Sequence, residues 1–128
     1  MNKTISFSSI LGNLDYLLLT LIIFILIDYI TGVLKSIYQH KISSKVGAKG
    51  IIKKIGYIII VFLSSTTDYL LGNTDYIRKA VIFMFIANEG ISILENWSKM
   101  GIKIPSVLKT NIKNLGGDDK NENNKSDI

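Results

Sequence analysis

The sequence predicts an all-α integral membrane protein with three transmembrane helices, a short basic C-terminal helix and a disordered polar tail. Two apolar runs, Tyr16 to Leu34 and Ile55 to Leu71, are each long enough to cross a ~30 Å hydrocarbon layer as a helix rising ~1.5 Å per residue. Between them, Lys35 to Lys54 carries six lysines and no acid, a stretch that cannot reside in lipid. Charge is also segregated: of 15 basic residues, none lies between Asp15 and Leu34 or between Ile55 and Ile77, whereas a soluble bundle spreads charge along its polar helix faces.

In chain order, Met1 to Leu14 holds one lysine and no basic cluster ahead of the apolar run, and no small-residue cleavage site closes that run. The first span is therefore expected to be kept as an anchor rather than removed as a leader. It reads YLLLTLIIFILI, meets Asp28 and continues as YITGVL; an acid at that depth is costly in lipid and should face helices, water or headgroups. Gly32, one turn along on the same face, would let another backbone approach. The second span turns polar through Ser64, Ser65, Thr66, Thr67 and Asp68, so its final turns are expected to be wet.

The third run, AVIFMFIANEGISIL, is short and amphipathic, with Asn88, Ser92, Glu95 and Lys99 at helical spacing beside Glu89 and Asn96. It is read as a span over about 79–95, and an interfacial helix, leaving two spans, is the alternative. Gly101 and Pro105 bracket a break before SVLKTNIKNL, a short basic amphipathic helix. Residues 1–115 form one membrane domain on this reading, with spans near 16–34, 55–71 and 79–95 and a basic cytoplasmic loop at 35–54. Residues 116–128 lack the apolar side chains needed to fold.

Positive charge settles on the cytoplasmic side. Ten basic residues, six in the first loop and four after the third span, stand against three, Lys3, Arg78 and Lys79. Three spans then put the amino terminus outside and the carboxyl terminus inside. Lys35, Lys41, Lys45, Lys49, Lys53 and Lys54 are read as topology signals and lipid-headgroup contacts. Asp28, Gly32, Asp68, Glu89, Ser92 and Asn96 are the candidate functional polar residues of the spans. Glu89 has no base three or four positions away, where Phe85, Ile86, Ser92 and Ile93 stand, so it must find a partner on another helix, a water-filled space or a proton.

The motifs DYITGVLK from Asp28, SSKVGAKGIIKK from Ser43, Asp68, NEGISILEN from Asn88 and MGIKIPSVL from Met100 occur in this order over about Asp28 to Leu108. In this the chain resembles the bacteriophage holin family, which includes the toxin-secretion holins of clostridia. The resemblance implies a small protein that assembles with itself in the cytoplasmic membrane and opens lesions. Through those lesions a cell-wall hydrolase or a toxin leaves the cell, with no direct contact required. A small accessory subunit of a transporter or secretion complex is the alternative.

Other classes find little support. There is no nucleophile and base pair, no phosphate cradle around Gly47 and Gly50, and no cysteine, so neither enzyme nor cofactor is expected. His40 reads as a solvated loop histidine, and Trp97 as an interfacial anchor. The aromatics sit mostly inside apolar runs rather than among the lysines, which argues against nucleic acid as a partner.

Overall fold

The computed structural model describes residues 15–117. Within them lie four helices and no strand: α1 (Tyr16–Tyr38), α2 (Ser44–Leu70), α3 (Tyr76–Lys99) and α4 (Ser106–Leu115). Lys3 and residues 118–128 of the expected tail lie outside the described residues. The all-helical expectation holds. By length and composition, α1 is the one described helix long and apolar enough to cross a membrane, with a mean hydropathy of 2.5.

Local chemistry sets the helix ends. The Asp15 carboxylate accepts the Leu18 N–H at 3.0 Å and starts α1. His40, at a φ of 54°, turns the chain, and Ser43 caps α2 by accepting the Val46 N–H. The α2–α3 turn uses Gly72 at φ 99°, a conformation that favours glycine, while Gly101 at φ 80° ends α3 in the same way. Pro105 then stands at the start of α4, where its missing N–H costs nothing.

One expectation is corrected at the basic stretch. α2 begins at Ser44 rather than near Ile55, so most of KISSKVGAKGIIKK is helix and the connector after α1 is only 39–43. Lys45, Lys49 and Lys53 project from the exposed first turns of α2, where they are solvated without any need for a loop.

α3 is the centre of the molecule and packs against α1, α2 and α4. Leu21, Tyr57, Val61, Ile82, Phe85 and Ile86 form its core, with the Tyr57 and Phe85 rings stacked at 4.2 Å between centroids. The pairings fix direction. Asp15 meets Arg78 and Asp28 meets Asn96, so α1 and α3 run parallel. Tyr57 meets Phe85 while Asp68 meets Arg78, so α2 runs against them. α4 folds back along α3: a Cβ on Gly90 would lie 2.6 Å from Ile112, and one on Gly116 would lie 2.9 Å from Ala87. The outward faces stay apolar, with Leu26 57%, Ile59 60% and Leu63 61% exposed.

Candidate functional site

Two charged tiers are built into the bundle, separated by the apolar core. The inner one joins three helices. Lys54 Nζ of α2 lies 2.6 Å from Asp28 Oδ2 of α1 and 2.5 Å from Glu89 Oε2 of α3. The Asn96 amide donates to Asp28 Oδ1 at 3.1 Å and to the Thr31 hydroxyl at 3.0 Å, and that hydroxyl donates to the Ile27 carbonyl. One ammonium thus serves two carboxylates, leaving a formal surplus of one negative charge with Asn96 as a neutral donor.

Burial makes that surplus consequential. Glu89 is 4% exposed and Asn96 6%, and the side chains of Asp28 and Lys54 are largely covered. Charged hydrogen bonds of this length are strong, yet ions taken out of water recover their desolvation cost only when every partner is in place. The tier also borders an open cavity of about 520 Å³ that Asn88, Ser92 and Glu95 help to line.

The outer tier lies at the other end of α3. The Arg78 guanidinium is buried and meets Asp15 through two nitrogens at 3.0 and 3.2 Å, with Asp75 at 3.5 Å. Its hydrogen bonds hold the Asp15 carboxyl below the usual carboxylate range. Asp68 accepts the Ile77 N–H at 3.0 Å and the Arg78 N–H at 2.7 Å, with the Thr74 hydroxyl at 3.3 Å. It caps α3 from the end of the preceding helix, a task that Asp75, left-handed at φ 61°, does not perform with its side chain. Thirteen residues along α1 separate the tiers from Asp15 to Asp28, about 20 Å at ~1.5 Å per residue.

Of the residues singled out from the sequence, Asp28, Glu89 and Asn96 come together, and Ser92 lines the adjoining cavity. Gly32 stands next to Asn96, but a Cβ there would sit 3.7 Å from the amide nitrogen, an ordinary contact, so no close backbone approach depends on it. Asp68 belongs to the other tier. Lys41, Lys45, Lys49 and Lys53 are exposed and Lys35 is half-buried. Lys54 departs from its group: instead of reaching for headgroups it turns inward, because two carboxylates on neighbouring helices offer it a better partner than solvent.

The polar end of α2 differs from expectation as well. Ser64, Thr66 and Thr67 donate to carbonyls four residues earlier, and Ser64, Ser65 and Asp68 are buried against protein. Sequence reasoning missed the roles of Arg78, Asp15, Lys54 and Thr31. The one local signal was Lys54 as the last base before an apolar run, within snorkelling reach of an acid in the preceding run.

Residues 5–117 match the sequence model of the bacteriophage holin family. The chain is 31% identical over 116 residues to the protein named "Probable holin" of Bacillus phage phi105, covering 91% of this chain and 85% of that one. It is 48% identical over 103 residues to an uncharacterized protein of Listeria monocytogenes, covering 80% of this chain and 74% of the relative. An uncharacterized 14.9 kDa protein of Clostridium perfringens is 39% identical over 110 residues, covering 85% and 83%. No solved structure matches.

Proposed function

Since this chain belongs to the bacteriophage holin family, we propose that it inserts in the bacterial cytoplasmic membrane and, gathered in many copies, opens lesions that release a cell-wall hydrolase or a toxin. The observation that carries this reading is the inner tier: an ion cluster enclosed by three helices whose outer faces are apolar. A water-soluble bundle places its charges outside. A protein solvated by lipid pairs them within and turns hydrocarbon outward.

On this reading α1, α2 and α3 each cross the membrane, with the amino terminus outside and the carboxyl terminus inside. α2 and α3 are less apolar than α1, and pairing lowers the cost of their charges: Lys54 and Glu89 neutralise each other, and Arg78 is held by Asp15. Parallel α1 and α3 with α2 opposed is the arrangement that three successive crossings require. With the outer tier at the outer headgroups, the inner tier stands about 20 Å deeper, inside a ~30 Å hydrocarbon layer.

The mechanism follows from the surplus carboxylate. A closed single bundle holds Asp28 and Glu89 around one Lys54 with limited water. Where copies gather, cavities bordered by Asn88, Ser92 and Glu95 merge, water hydrates the extra charge, and the polar faces line an aqueous lesion. No chemical step is needed, and the protein acts without catalysis.

Inducible expression in a bacterium, with a membrane-potential dye and a co-expressed wall hydrolase lacking an export signal, tests this directly. A lesion former collapses the potential unaided and releases the hydrolase. An accessory subunit leaves both unchanged, and that outcome across a normal range of expression would end the holin reading.

A further inference from the structure

α1 and α2 both lean on α3 and make little backbone contact with each other, so a cleft runs between them. Its upper part is a groove of about 370 Å³ walled by Ile22, Ile25 and Leu26 of α1 and Ile55 and Ile58 of α2. At Tyr29, Ile51 and Lys54 the groove passes into a second, wider pocket of about 630 Å³ that is mainly apolar but carries Lys35 and the hydroxyls of Ser36, Ser43 and Ser44. An apolar groove that leads to a lysine and three hydroxyls follows the order of a phospholipid, tail first and headgroup after. We propose that this cleft binds one anionic phospholipid, an acyl chain lying in the isoleucine groove and the phosphate in the wider pocket beside Lys35.

From Ile22 to Tyr29 the groove is about 10 Å long at ~1.5 Å per residue and lies open along the outer face of the bundle. On the membrane reading that face is bathed in hydrocarbon, and an acyl chain at ~4 Å carbon–carbon contact can lie along the isoleucines. Water has almost nothing to bond to among the isoleucines.

Charge selects the headgroup. The basic stretch from Lys35 to Lys54 holds six lysines and no acid. Asp28, at the junction, shares Lys54 with Glu89, and Lys35, which makes no ion pair among the described residues, is the cation of this pocket that no acid already engages. The wider pocket lies at the end of α1 where this stretch begins, so on the membrane reading above, on which the inference rests, the lipid belongs to the cytoplasmic leaflet. Lys54 would form the floor of the lipid site and the inner tier at once, which couples lipid occupancy to the ion cluster.

Native mass spectrometry of the full chain, extracted in mild detergent from vesicles of equal phosphatidylglycerol and phosphatidylcholine, reads the site. The expected result is one retained phosphatidylglycerol per chain. Ile55→Trp fills the groove and should remove the retained lipid, and Leu26→Trp at the rim does the same should the first variant fold poorly. Lys35→Gln should keep a lipid while lowering the preference for phosphatidylglycerol roughly fivefold, the share of one lysine near an anionic surface. Equal retention of both lipids by the wild type, or unchanged retention in both Trp variants, would overturn the proposal. So would disulfide cross-links between copies through Leu26→Cys and Ile58→Cys with no lipid bound, since a second copy would then occupy the cleft. A chain that retains phosphatidylglycerol but opens no lesion keeps the lipid site and loses the holin reading; lesions without retained lipid mean the reverse.

Discussion

The two ends of α3 are held by charge in opposite ways. At the outer end one arginine meets Asp15 through two nitrogens, with Asp75 alongside, while the Asp68 carboxylate caps the helix by accepting the Ile77 and Arg78 N–H groups. Asp75 lies in the turn before α3 and Asp15 just ahead of α1, both close to solvent, and Asp15 is about one-third exposed. At the inner end, a flexible lysine is shared by two buried carboxylates from helices far apart in sequence. A guanidinium fork fixes geometry, whereas an ammonium point charge tolerates rearrangement. The outer tier is built as a staple and the inner one as an imbalance.

Removing the shared cation should have the largest effect. Lys54→Met leaves Asp28 and Glu89 buried without a counter-charge and should cost about 3–5 kcal/mol, seen as a large drop in melting temperature in detergent. Adding Asp28→Asn and Glu89→Gln should restore most of it, because a neutral cluster needs no cation. Next comes packing beside the inner tier. Gly90→Ala drives a methyl group to within 2.6 Å of Ile112 and 3.3 Å of Phe24, and should destabilise by about 1–3 kcal/mol by pushing α4 off α3. Gly32→Ala, with its nearest contact at 3.7 Å, should be tolerated. Proteolysis of the α3–α4 connector would report the difference.

The outer tier should respond less. Asp68→Ala removes the cap of α3 at about 0.5–2 kcal/mol, and Asp68→Asn, which can still accept, should cost less. The smallest effect is the acid response of Asp15. Its folded pKa is lowered, so its pairing with Arg78 stabilises fully above the ordinary carboxylate value near pH ~4 and fades as pH falls through the lower folded value. Solvent screening limits it to below about 1 kcal/mol. Comparing the acid melting of wild type and Asp15→Asn isolates it, and equal profiles would mean that the outer pair adds nothing to stability.

The two tiers also differ in how far the sequence revealed them. Helices and breaks were legible because they rest on local chemistry: apolar runs, Gly101 before Pro105, lysines where hydrocarbon stops. Asp28, Glu89 and Asn96 stood out because acids and amides in apolar runs need partners. Which partner they take was not legible, since Lys54 is 26 residues from Asp28 and 35 from Glu89, and only the packing of α1 and α2 on α3 brings them together. The basic stretch misled for a related reason. Six lysines and two glycines suggest a loop, but once Ser43 starts a helix that continues into an apolar, packed segment, the exposed turns ahead of it propagate with it. Asp68 looked like Asp28 in the sequence, and its true setting depends on the turn at Gly72 that folds α3 back onto it.

On the proposed mechanism the surplus inner carboxylate drives opening while the outer tier only holds the bundle together. The time from induction to collapse of membrane potential, at matched membrane levels, separates these roles when Glu89→Gln is compared with Asp68→Asn. Gln keeps the size and an acceptor for Lys54 but balances the cluster, so Glu89→Gln should insert normally and open late or never, while Asp68→Asn keeps close to the wild-type schedule. Wild-type timing in Glu89→Gln would mean that the surplus charge does not drive opening and would leave Glu89 as a structural partner of Lys54 alone.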